Sequence, residues 1–198
     1  MTSVDMVRLI QRTFPCDYVN SKNQQRSLVL LPKEYISDYA TLLMSDDYNR
    51  NIDFNFSSSF KRSDLESLLY KMTENYFNPG YKFKDFRVLL IDTATKKFIG
   101  CCVLCFSIVS IEISYYILPE FRGSHEAFDM LNTIISRLTI PGFDIRYIKA
   151  SIRETNTPSR KLVERLGFRK YKSYRGKKTY NIEYRRYTND QNTLRLQG

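Results

Sequence analysis

Apolar and polar positions alternate along the chain in blocks that separate strands from helices. "RSLVLL" reads as a short strand, followed by a Pro-containing turn and a helix with Tyr35, Tyr39, Leu42 and Leu43 near helical spacing. Residues 45–62, polar and aromatic, read as a loop. Ser63 to Tyr76 predicts a second helix, with Ser63 as N-cap, Glu66 completing a capping box and "NPG" as the stop. "FRVLLID" and "FIGCCVLCFSIV" then predict a hairpin through "TATKK", and "IEISYYIL" a third strand. From about Glu126 to Leu138, one stripe carries Ala127, Met130, Leu131, Ile134, Ile135 and Leu138, a strong helical pattern. "IRYIKASIRE" is a further strand. Thr157 as N-cap, Pro158 at the first helical position and Gly167 at the end frame a short helix. "FRKYKSYRGKKTYNIEYRRYT" closes as a hairpin around "RGKK". The order predicts one mixed α/β domain over residues 26–187, with a loosely attached polar extension over residues 1–25 and a tail over residues 188–198.

Composition narrows the class. The chain has 198 residues, 42% of them hydrophobic, enough for a core and against wholesale disorder. No apolar run approaches the ~18 residues that a bilayer span needs. "MTSVDMVRLIQRTFPCDYVN" has no continuous apolar stretch of the secretory kind. The expectation is a cytoplasmic protein with no membrane partner, monomeric or homodimeric. Of four cysteines, Cys16 stands alone and Cys101, Cys102 and Cys105 share one strand. Cys102 and Cys105 are an odd number of residues apart and point to opposite faces, so no metal site is expected and buried reduced thiols are.

The formal charge of +10 is uneven. Between Arg146 and Tyr187 there are fourteen Lys and Arg against three Glu. Such a surface attracts polyanions, including RNA or a ribosome, or serves as a solvated face.

The chemistry concentrates in three places. In the third strand, Ile111, Ile113, Tyr115 and Ile117 share one face, and Glu112, Ser114, Tyr116 and Leu118 the other. A lone carboxylate there is costly to bury without a partner, so it stands at a strand end, is salt-bridged to the basic C-terminal hairpin, or has a chemical task. Next, "PEFRGSHEA" is a turn into a helix N-terminus, where unpaired N–H groups and the helix dipole attract an anion. Last, Ser159, Leu162, Val163 and Leu166 fall on one helix face.

"IEISYYILPEFRG", an amphipathic helix, a strand and then "NTPSRKLVERLGF" resemble the GNAT acetyltransferases, particularly the ribosomal-protein-alanine (RimJ/RimL-type) branch, over roughly residues 26–187. The resemblance implies the GNAT fold: a mixed, mostly antiparallel sheet with splayed central strands, flanked by helices. It also implies acetyl-CoA as acyl donor and an amine as acceptor, a protein or peptide N-terminus or a small amine. Glu112 then relays a proton from the amine and Ser159 protonates the leaving thiolate, since Val163 stands where many members carry a tyrosine. The implied cofactor-binding residues are Tyr116, Ile117 and Leu118 along the splayed strand, Arg122, Gly123, Ser124, His125, Glu126 and Ala127 at the phosphate turn, and Asn156. Glu120 and His125 depart from the family's pattern; glycine or alanine is usual at His125. Asp46, Asp47 and Asp53 with Tyr48, Phe54 and Phe56 are candidates for an acceptor groove. The competing expectation is a catalytically weak GNAT-shaped module that docks nucleic acid or a ribosome through its basic C-terminal face.

Overall fold

The computed structural model describes residues 3–51, 56–78, 85–139, 145–176 and 179–188. Asp53, Phe54, Pro79, Gly80, Lys177, Lys178 and residues 189–198, along with the Phe56 side chain, lie outside the described residues. The described elements are α1 (Ser3–Thr13), β1 (Cys16–Val19), β2 (Gln25–Leu30), α2 (Ile36–Met44), α3 (Asp46–Asn51), α4 (Phe56–Ser59), α5 (Arg62–Asn75), β3 (Asp85–Asp92), β4 (Phe98–Phe106), β5 (Ser110–Ile117), α6 (Glu126–Leu138), β6 (Tyr147–Arg153), α7 (Thr157–Arg165), β7 (Arg169–Arg175) and β8 (Tyr180–Tyr187). The strands form one sheet in the order β1-β2-β3-β4-β5-β6-β8-β7. Every neighbouring pair is antiparallel except β5 and β6. The expected mixed, mostly antiparallel sheet flanked by helices is present.

The apolar stripe of α6 is buried as its spacing requires, with Met130, Leu131, Ile134 and Ile135 fully enclosed. Tyr39, Leu42 and Leu43 of α2 are likewise buried, and α2 packs against α5. The N-terminal residues are not loosely attached. Met6, Leu9 and Ile10 recur at helical spacing and are buried, α1 packs on α6, and β1 joins the sheet edge through β2. Within the stretch read as a loop, Asp46–Asn51 and Phe56–Ser59 are helical. α5 begins at Arg62 with Lys61 in the cap position and no side-chain cap bond. Arg62 pairs with Glu66 at 3.0 Å one turn on, so Glu66 is not part of a capping box.

Cys102 and Cys105 point to opposite faces as expected, and all four thiols are free. Cys105 is exposed, whereas the other three are buried. Burial pushes the Cys101 thiol up to about 12. Gly100 on β4 is required by close approach to β5, because a Cβ there would lie 2.5 Å from the Tyr116 carbonyl oxygen. No described helix is long and apolar enough to cross a membrane.

Candidate functional site

β6 follows β5 only briefly. Ser110, Ile111 and Glu112 pair with Tyr147, Ile148 and Lys149. Beyond that, β5 continues on β4 to Ile117 and β6 continues on β8 to Arg153, so the two strands part and leave facing edges open. A cavity of about 780 Å³ fills the gap. Five consecutive β5 residues, Ile113 to Ile117, line it. Successive strand residues point to opposite faces, so the cavity passes through the sheet.

The open edge has a defined polarity. The Leu118 N–H donates to the Ile99 carbonyl on β4 at 2.9 Å. Backbone groups alternate in direction along an antiparallel edge, so the Tyr116 N–H also turns toward β4. The Tyr115 and Ile117 N–H groups therefore point into the gap. Arg122 Nε donates to the Ile117 carbonyl at 3.0 Å, which caps that end of the edge.

On one face the gap is bounded by α6 and α7. Asn156 caps α7, its side-chain oxygen accepting from the Ser159 N–H at 3.2 Å. The cap is thus Asn156 rather than Thr157, because Thr157 already lies inside the helix. Ser159, Leu162 and Arg165, three residues apart, all line the cavity. The Ser159 side chain lies beside the Tyr115 hydroxyl, and both residues line the opening. A phenol does stand beside Ser159, supplied by the strand where Val163 supplies none. Burial raises the Tyr115 phenol, and the Ser159 contact partly opposes this. Arg165 lies 4.3 Å from the centroid of the Phe128 ring, between α7 and α6. Glu164 accepts from the Tyr184 hydroxyl at 2.9 Å and so ties α7 to β8. Patterning had singled out neither the Tyr115 hydroxyl nor Arg165; the three-residue spacing from Ser159 was the available signal for Arg165.

The turn into α6 keeps a glycine-like backbone. Gly123 has φ 73°, and a Cβ there would meet nothing within 4 Å. His125 caps α6 in the left-handed region at φ 67°, which costs a non-glycine residue roughly 1–2 kcal/mol. The first N–H groups of α6 have no partner within the helix and bear its positive dipole end. Glu126 is buried and its carboxylate turns away to the Arg26 guanidinium at 2.6 Å and to Asn20 Nδ2 at 3.1 Å. Ser21, between β1 and β2, holds Asp129 through both its N–H and its hydroxyl, at 3.0 and 2.7 Å. The β1–β2 hairpin thereby fixes the helix end.

On the opposite face Tyr116 is latched to α3. Its hydroxyl donates to Asp47, and Arg122 Nη2 binds the same carboxylate oxygen at 2.5 Å. Arg122 also lies 5.0 Å from the Tyr116 ring centroid, and Tyr48 packs edge-on at 5.3 Å. The Arg122 contact, with that of Tyr116, holds the Asp47 carboxyl below its usual range. Burial and Asp47 push Tyr116 up to about 12. The charge of Arg122 is therefore directed at Asp47 and the Ile117 carbonyl.

Of the residues expected at the site, Tyr116, Ile117, Arg122, Gly123, His125, Glu126, Ala127, Asn156 and Ser159 line the cavity. Leu118, Ser124 and Glu112 do not. The Leu118 N–H is spent on β4, and the Ser124 hydroxyl donates to the Phe121 carbonyl. Glu112 sits where the strands still pair, bound to Lys149 Nζ at 2.8 Å, two residues and about 7 Å below Ser114 on the same face. Among the described residues, no group of His, Cys, Asp and Glu is placed to hold a metal ion.

Comparison with known proteins agrees with this architecture. Residues 29–169 match the family described as the acetyltransferase (GNAT) domain. No curated protein matches the chain. Among solved structures, a ribosomal-protein-S5-alanine acetyltransferase from Vibrio fischeri superposes with a TM-score of 0.71 at 16% identity, over 88% of this chain and 98% of that one. RimL, a ribosomal L7/L12 α-N-protein acetyltransferase in complex with coenzyme A, gives 0.70 at 13% identity, over 86% and 96%. A spermidine N-acetyltransferase from Vibrio cholerae, in complex with CoA and spermine, gives 0.66 at 17% identity, over 82% and 95%. The matched span holds the parted strands, the helix start between them and the whole of the Asn156-capped helix, and with well over half the sequence inside it, this chain belongs to the GNAT acetyltransferase family.

Proposed function

We propose that the protein is a RimJ/RimL-type N-acetyltransferase that moves an acetyl group from acetyl-CoA to the α-amino group of a protein or peptide. The observation that carries this reading is the cavity that passes through the sheet beside the open edge of β5. Donor and acceptor can then approach one point from opposite faces. The donor's chain fits the gap as an added strand, with the Tyr115 and Ile117 N–H groups as its partners. Its phosphates fit the α6 N-terminus, where Gly123 leaves room and Arg165 adds charge.

Acetyl-CoA supplies the activated acyl group, and its C–S bond breaks as the new C–N bond forms. The Ile117 N–H faces the position where negative charge develops on the acyl oxygen. The paired Tyr115 and Ser159 hydroxyls deliver a proton to the departing sulfur. Glu112 takes the amine proton through bridging water, given its distance below Ser114.

Among the described residues lining the cavity, Glu126 is the one acidic residue, and Arg26 already binds it. A polyamine asks for several carboxylates. An α-amino group ionises near 7.7–8.0 against about 10.4 for a lysine amine, so it reaches the neutral, reactive form with less help.

A second reading, a binding module that docks RNA or a ribosome through residues 146–187, is favoured by one observation. All seven residues of β7 are exposed, four of them basic and none acidic. Calorimetric titration with acetyl-CoA, followed by mass spectrometry of amine-bearing peptides, separates the two. Binding with acetyl transfer to the peptide N-terminus supports the enzyme; absence of both overturns it.

A further inference from the structure

We infer that the acceptor is a peptide with acidic residues following its N-terminal one, received by a cationic surface on β6, β8 and β7; this rests on the acetyl-transfer reading above.

Residues paired directly across a sheet project to the same face. On the face that carries Ser114 and Tyr116, the cavity lining continues along the row Arg153, Asn181 and Tyr174. The next row is Ser151, Glu183 and Lys172, and the one after is Lys149, Arg185 and Arg169. The acceptor mouth thus opens onto β6, β8 and β7.

The acids on this surface are already neutralised. Glu112 is held by Lys149 at 2.8 Å. Glu183 is held by Arg185 at 2.7 Å, with Lys172 at 3.8 Å. Arg169 adds a further positive charge to the outer row. Across the mouth, Asp47 is shared between Arg122 at 2.5 Å and Arg50 at 3.7 Å. Among the described residues of these rows on β6, β8 and β7, cations outnumber carboxylates. Arg185 is also held in place, 3.4 Å from the Tyr171 ring centroid and 4.3 Å from that of Tyr147.

The dimensions suit a short peptide segment. Strands lie about 4.8 Å apart, so Lys149 to Arg169 spans about 10 Å, or about three residues of extended chain. An amine placed at the cavity would direct its second to fifth residues over these rows. Carboxylates there gain attraction, whereas a lysine-rich segment or a polyamine meets repulsion.

The test uses synthetic peptides that share a free N-terminal residue and carry either Glu or Lys at the next four positions, assayed with the full chain. One arm measures kcat/KM with acetyl-CoA; the other measures binding by calorimetry with coenzyme A saturating. We expect the Glu peptide to be favoured by about tenfold or more at low ionic strength, shrinking as salt screens the surface. The double variant Arg169→Glu with Lys172→Glu should abolish or reverse that preference, and its circular dichroism should show an intact fold; salt screening of the unmodified protein gives the same reading without mutation. Equal or better use of the Lys peptide or spermidine overturns the inference and leaves the enzyme standing. Absence of transfer to any amine removes the proposed function, while selective binding of the Glu peptide would still uphold the surface assignment. A single-stranded RNA oligonucleotide that displaces the Glu peptide at equal concentration, with coenzyme A bound, overturns it in favour of a nucleic-acid site.

Discussion

Tyr115 on β5 and Ser159 on the Asn156-capped α7 line the same gap, with the Ser159 side chain beside the Tyr115 hydroxyl. Two hydroxyls from elements 44 positions apart therefore face one point in the cavity.

If this pair protonates the leaving sulfur, Tyr115→Phe should lower kcat by about 10²-fold while the affinity for acetyl-CoA changes little. Ser159→Ala should have a smaller effect. Burial raises the phenol above its ordinary 10.0, so it stays protonated through neutral and moderately alkaline pH. Steady-state kinetics should show no loss of donor function below about pH 10; an alkaline limb lower than that, absent in Tyr115→Phe, would count against the assignment.

Glu112 acts at a distance in this scheme, with Lys149 beside it. Glu112→Gln should slow transfer by about 10²-fold at pH 7, where an α-amino group is mostly protonated, and recover as pH passes 8 and the amine deprotonates unaided. A flat ratio to the parent protein from pH 6 to 9 would remove Glu112 from the reaction.

His125 occupies a left-handed position at the N-terminus of α6, the end proposed for the donor's phosphates. His125→Gly should raise stability by about 1 kcal/mol, offset in part by the flexibility that glycine adds to the unfolded chain. It should also tighten coenzyme A binding by clearing space at the turn. Thermal melting and calorimetry check the two effects separately.

Arg26 and Glu126 are nearly inaccessible, at 4% and 2% exposure. Arg26→Met leaves Glu126 buried without its cation and should cost about 3–5 kcal/mol, read by urea unfolding. Adding Glu126→Leu should restore part of that, because it removes the buried carboxylate, while Asp92, which Arg26 also binds at 2.6 Å, still loses its cation.

Asp47 has its folded pKa below the ordinary 3.8, chiefly through Arg122. Its contribution to stability is therefore present above that value and lost as pH falls through the folded pKa. The carboxylate is about a third exposed, so the effect is small, up to about 1 kcal/mol. Melting curves of the parent and Asp47→Asn proteins should differ at pH 7 and converge only as pH falls below 3.8.

The elements with strong local periodicity were legible. The α6 stripe, the β3–β4 hairpin and the glycine-terminated α7 lie where the spacing of apolar residues and breakers put them. α1 and β1 were not, since only their packing on α6 and β2 shows that these polar stretches bury Leu9, Ile10 and Cys16. The capping predictions failed for a similar reason. Ser63 and Asn156 are both competent caps, and what decides between candidates is where each helix starts.

The linear chain by itself determined the family, the strand that parts, and Asn156 and Ser159 at the cavity, because each is carried by residues close together in sequence. Tertiary structure decided which groups face one another: Tyr115 with Ser159, Glu126 with Arg26, Arg122 with Asp47, and the cationic rows beside the mouth. The three side-chain contacts join residues from 44 to 100 positions apart and, like the rows, depend on sheet register and helix docking, which no local pattern encodes.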